Sequence, residues 1–185
     1  MNLASLGNLF LDNLRPSKSA TPAGNRLIRL FDDPEGWRSF LPVIAKKTFT
    51  SNFAVFHEEF WMWYWKLTNQ RRRRHSFDPN TQRDFLAGWS RENGKSSTVE
   101  WACITEGAAE LEGYVLYVSN TQASAENHVS AIRQRLESND ITQFFPDLAA
   151  PQIGNFGNQY GWRQNFLMTK SGESPMNDCR CSFSL

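Results

Sequence analysis

At 185 residues, 40% hydrophobic and with a formal net charge of +1, the chain can bury one sizeable core and carries no global field that would draw it to nucleic acid. The composition excludes a fibrous repeat and a disordered chain, and three cysteines make neither a disulfide framework nor a two-pair zinc pattern. No run of about 18 apolar residues occurs, and the amino terminus lacks the basic, apolar and cleavage-site order of an export signal, so a cytoplasmic chain without a membrane segment is expected.

In chain order, residues 1–24 read as a flexible arm, with a short amphipathic stretch (Leu3, Leu6, Leu9, Phe10, Leu11) followed by Pro16, Pro22 and Gly24. Residues 25–80 read as a helical amino-terminal subdomain. Leu27, Ile28, Leu30 and Phe31 come first, then Trp37, Phe40 and Leu41, then an aromatic-rich segment from Phe53 to Trp65. A helix aromatic on all sides is expected to be core, with a base-stacking platform as the other reading. His57 beside Glu58 and Glu59 supplies too few ligands on one face for a metal, so a structural role is expected. Arg71 to Arg74 concentrate positive charge, which is ordinarily a solvated surface and otherwise a phosphate contact. Phe77, Asp78, Pro79 and Asn80 then signal a loop.

Residues 81–172 carry the pattern with chemical content. Phe85-Leu86-Ala87 is predicted as a short strand. The segment Ser90-Arg91-Glu92-Asn93-Gly94-Lys95-Ser96-Ser97 follows. Behind it, Thr98, Val99, Trp101, Ala102, Ile104, Ala108 and Ala109 have helical spacing up to Gly113. A Gly-Lys-Ser at a strand-to-helix turn aims backbone N–H groups at an anion, lets Lys95 reach the outer phosphates of ATP and puts the Ser96 hydroxyl near Mg²⁺. Asn93, Gly94, Lys95, Ser96 and Ser97 are therefore the candidate nucleotide-binding residues. The first glycine of the general phosphate-loop pattern is missing: Trp89 takes its place, with Gly88 one position early.

Tyr114-Val115-Leu116-Tyr117-Val118 is a continuous apolar run of strand length. Ser119 to Gln122 then offer caps for a helix from Ala123 to Glu137, with Ala125, Val129, Ile132 and Leu136 on one face. Two successive strand–helix units predict an α/β fold: a parallel sheet of the P-loop NTPase type flanked by helices and preceded by the helical segment.

These segments, taken in order, resemble the large subunit of the tailed-phage terminase, the motor that packages DNA into procapsids. The resemblance rests on Arg91 to Ser96 as a variant phosphate loop, on Tyr114 to Glu137, on Phe144 to Leu148, on Trp162-Arg163 with Phe166 to Thr169, and on Phe56 to Phe60, and it covers residues 25–172. It implies an ATPase in which Lys95 holds the β- and γ-phosphates, Arg91 contacts or senses the γ-phosphate, Gly94 permits close approach and Ser96 binds Mg²⁺ directly or through water. It also implies double-stranded DNA, a portal and a small terminase subunit as partners, a homo-oligomeric ring, and the cytoplasm of a host bacterium.

The chain departs from that family in two ways. No apolar strand ending in paired acids follows the loop; Asp147 sits after Pro146 in a turn pattern, and Asp178 lies in a stretch without strand pattern. Residues 173–185 resemble nothing in the family, and on this reading they are an atypical, out-of-frame end of an incomplete ATPase domain, without the nuclease that full-length members carry. Whether the chain is itself an enzyme stays open. The alternatives are a truncated fragment that binds nucleotide or DNA without hydrolysis, another P-loop protein such as a helicase-like ATPase, and a loop that is no more than a helix cap.

Overall fold

The computed structural model describes residues 20–50, 52–72, 83–110, 114–153, 156–163, 166–169 and 182–184. Helix α1 (Pro22–Ile28) starts where Pro22 occupies a position whose N–H would have no partner. The Thr21 hydroxyl caps it, accepting from the Gly24 N–H at 3.1 Å. Thr21 also ties this end down by donating its own N–H to the Phe144 carbonyl at 2.9 Å. The helical region thus opens a few residues before Asn25, and residues 1–19, the bulk of the expected arm, lie outside the described residues.

A 3-10 turn (Arg29–Asp32) leads to α2 (Trp37–Ile44) and then to α3 (Val55–Arg72), an 18-residue helix. Phe60, Trp61, Tyr64, Leu67 and Thr68 fall at helical spacing along α3, and all are buried. They meet Phe31, Trp37 and Phe40 from the preceding turns, with Phe31 set edge-on to Phe40 at 4.7 Å and Trp37 stacked on Trp61 at 6.4 Å. The aromatic helix is core, as its composition implied.

Helix α4 (Lys95–Ala108) follows the candidate loop. Strand β1 (Tyr114–Leu116) and helix α5 (Gln122–Leu136) come next, then the short α6 (Asn139–Thr142). The Thr121 hydroxyl caps α5, accepting from the Ser124 N–H at 3.2 Å, and Ala125, Val129, Ile132 and Leu136 are its buried face. The remaining strands are brief: β2 (Gln152–Ile153), β3 (Gln159–Tyr160), β4 (Trp162–Arg163), β5 (Phe166–Met168) and β6 (Ser182–Ser184).

The fold is therefore mixed α/β with helices predominating. Two expectations are corrected. Residues 83–90 form no strand. From Phe85 on, the odd-numbered members Phe85, Ala87 and Trp89 are half-buried and the even-numbered ones exposed, so the segment has the two-residue alternation of a strand with no ladder partner among the described residues. Phe85 lies 5.2 Å from Trp63 and 5.4 Å from Phe60, and aromatic packing on α3 takes the place of a ladder.

The second correction concerns the carboxyl-terminal stretch, where Ser182–Ser184 is a strand. The four-stranded sheet runs β1-β6-β5-β4, with β6 parallel to β1 and antiparallel to β5, and β5 antiparallel to β4; β2 and β3 form a separate antiparallel pair. Phe183 stands in register with Val115 on one side and Leu167 on the other. A three-residue strand is too short to announce itself by alternation, and its neighbours in the sheet select it.

One contiguous core joins the aromatic helices to the rest, running from Leu27 through Trp61, Ile104 and Ile132 to Leu148 and Leu167. Residues from both sides of position 80 therefore share a single apolar interior. Among the described residues no helix is long and apolar enough to cross a membrane.

Candidate functional site

The loop before α4 bends through two left-handed residues, Glu92 with φ 68° and Gly94 with φ 70°. Only glycine adopts that conformation freely, so Gly94 is where the backbone can turn and deliver Lys95 as the first residue of a 14-residue helix. Glu92 is held there at a steric cost of about 1–2 kcal/mol. The Ser90 hydroxyl accepts from the Asn93 side-chain amide, which closes the loop internally. Lys95 and Ser96 are exposed at the helix start, where the first N–H groups have no partner within the helix.

Helix α3 carries the loop. The Ala54 N–H donates to His57 Nδ1 at 3.3 Å, reaching back across the helix start like a capping box, which leaves His57 Nε2 to donate to the Asn93 carbonyl at 2.9 Å. Trp89 packs beside the same histidine, its ring centroid 5.1 Å from His57 and 4.9 Å from Phe56. His57 is thus an anchor for the loop backbone, and Trp89, standing where the general pattern has glycine, is an aromatic anchor.

On its other side, α4 meets α5 through charge. Glu100, only 3% exposed, accepts from His128 Nδ1 at 2.7 Å and pairs with Arg135. Arg135 also donates from Nη2 to the Ser97 hydroxyl at 3.3 Å and lies over the Trp101 ring at 5.5 Å. The Tyr117 ring stacks on His128 at 4.7 Å, and its phenol is pushed up to about 12 by burial, with the nearby Glu100 charge adding to the shift. Tyr117 also lines a cleft of about 300 Å³ with Val118, Ser119, Thr121, Gln122 and Ala125, between the end of β1 and the start of α5. Beneath the network the Cys103 thiol is raised to about 12, first by burial and then by Glu106 and Glu100, so it is a packing residue.

Of the predicted site residues, the structure brings Asn93, Gly94, Lys95 and Ser96 to one turn. It directs the Asn93 carbonyl to His57 and its amide to Ser90, and it gives Ser97 to Arg135. Arg91 is exposed in the same turn. Asp147 sits half-buried in the turn 146–148. The side chains of Arg71 and Arg72, and all of Arg73, Arg74 and Asp178, lie outside the described residues. Sequence reading did not find the Glu100, His128 and Arg135 group. Its only local signal is a glutamate on the apolar face of a helix, since the partners stand 28 and 35 residues away.

Among the described residues no group of three or more His, Cys, Asp or Glu side chains could hold a metal ion. Ser96, exposed at the start of α4, is the loop hydroxyl that would hold a Mg²⁺ brought with a nucleotide. No family model, curated protein or solved structure matches this chain.

Proposed function

We propose that residues 90–97 form a phosphate loop that holds Mg-ATP, in the ATPase part of a terminase-like DNA-packaging motor built on a P-loop sheet. The observation that carries this reading is the left-handed Gly94 delivering Lys95 to the first position of α4, the backbone form that a Gly-Lys-Ser loop needs to wrap a phosphate chain. Lys95 and Arg91 are the cations for the β- and γ-phosphates, Ser96 is the hydroxyl for Mg²⁺, and Gly94 gives the close approach. Double-stranded DNA, a portal, a small subunit and a ring of copies in the bacterial cytoplasm belong to the same proposal through the family resemblance.

Binding without turnover is the form of this function expected of the chain alone. Phosphoryl transfer needs a carboxylate to align water and metal beside the loop, and Glu100, the nearest buried acid along α4, is already engaged by Arg135 and His128. Calorimetric titration is expected to give weak Mg-ATP binding that Lys95→Ala removes, with negligible phosphate release. Equal affinity in both proteins overturns the loop assignment. Steady phosphate release that disappears in Lys95→Ala overturns the claim that turnover is absent.

A further inference from the structure

Ser97 is the third residue of α4, three beyond Gly94 of the turn, and its hydroxyl accepts from Arg135 of α5 at 3.3 Å. A serine oxygen that accepts one hydrogen bond keeps its own O–H to donate. Accepting from a cation polarises that O–H and makes it a better donor to an anion. Arg135 is itself oriented. Glu100 pairs with it from one turn further along α4, His128 holds the other carboxylate oxygen, and Trp101 lies under the guanidinium.

A buried ion pair of this kind contributes little net stability compared with apolar side chains of the same volume, but it fixes orientation closely. The residue it orients here is in the first turn of the helix that the phosphate loop opens.

We propose that Arg135, held by Glu100, is a positioning residue for the phosphate loop: it sets the Ser97 hydroxyl as a donor to nucleotide phosphate. This rests on the nucleotide reading above and adds to it a second helix, α5, as part of the binding machinery. It also accounts for the placement of Ser97, which sits at the protein interface and still serves the ligand.

The test is a double-mutant cycle on Mg-ATP dissociation constants, measured by calorimetry on the full chain beside thermal melts, with Lys95→Ala as the reference for loss of the loop. Arg135→Gln and Ser97→Ala are each expected to weaken binding about tenfold, as loss of a charge-assisted hydrogen bond does. The double variant is expected to be no weaker than either single one. Arg135→Lys, which keeps the charge without the fork, is expected to recover part of the affinity. If Arg135→Gln does not fold, Arg135→Lys takes its place in the cycle. Additive losses, or a wild-type dissociation constant in the Arg135 variants while Lys95→Ala abolishes binding, overturn the positioning role alone. Absence of Mg-ATP binding in the wild-type chain overturns both proposals.

Discussion

Helices α3 and α5 support the same loop and helix from opposite sides by different physics. On the α3 side the contacts are apolar and many: Trp61 is fully buried among Trp37, Phe60 and Tyr64, and one histidine hydrogen bond ties the loop backbone to the packed surface. On the α5 side a single buried carboxylate gathers a histidine and an arginine. Packing energy is spread over many contacts and tolerates small changes of shape. A desolvated charge network is concentrated, and removing one member strands the others.

Four changes would break or sharpen that contrast. The largest effect is expected from Trp61→Ala, which empties the centre of the aromatic side and should cost about 4 kcal/mol in denaturant unfolding. A loss under about 1 kcal/mol would mean that the aromatic helix is not the stabilising core. Glu100→Ala should cost about 3 kcal/mol because Arg135 is left without its counter-charge, and Glu100→Ala combined with Arg135→Met should recover much of that loss. If the double variant is no better than the single one, stranded charge is not the cause.

Glu92→Gly changes the exposed turn ahead of α4. Relief of its left-handed backbone, reduced by the extra freedom of glycine in the unfolded chain, should raise stability by about 0.5 kcal/mol. A loss would instead show the carboxylate holding the loop. The smallest effect concerns Glu137, just past the end of α5, whose carboxyl lies below its ordinary value because Trp162 Nε1 donates to it at 2.8 Å, with Arg133 adding a second bond. A carboxylate lowered in the folded state adds stability above the ordinary carboxylate value and loses it as pH falls through the lowered folded value. Stability measured from pH 6 down to pH 3 should therefore fall less steeply in Glu137→Gln than in the wild type, and parallel curves would remove this link between α5 and β4.

Much of this organisation was legible from local pattern. The periodicity of Phe60, Trp61, Tyr64 and Leu67 marks a buried helix face, and that of Ala125, Val129, Ile132 and Leu136 marks another; Thr121 lies within the capping stretch expected for α5. Gly94 before Lys95 marks the loop turn. These are properties of residues within one or two turns of each other, where backbone sterics and the helical repeat operate.

Three features depended on tertiary structure. Residues 83–90 have the alternation of a strand, and whether such a segment joins a ladder depends on which chain lies beside it; here that neighbour is the aromatic face of α3. Ser182–Ser184 became a strand because β1 and β5 stand on either side of it. The Glu100, His128 and Arg135 network joins positions up to 35 residues apart, and only the packing of α4 on α5 sets the distances and removes the water that make those charges partners. The chain's local chemistry determined its helices, its caps and the turn at Gly94. Pairing and desolvation, which require a second element in place, decided which strands exist and which charges meet.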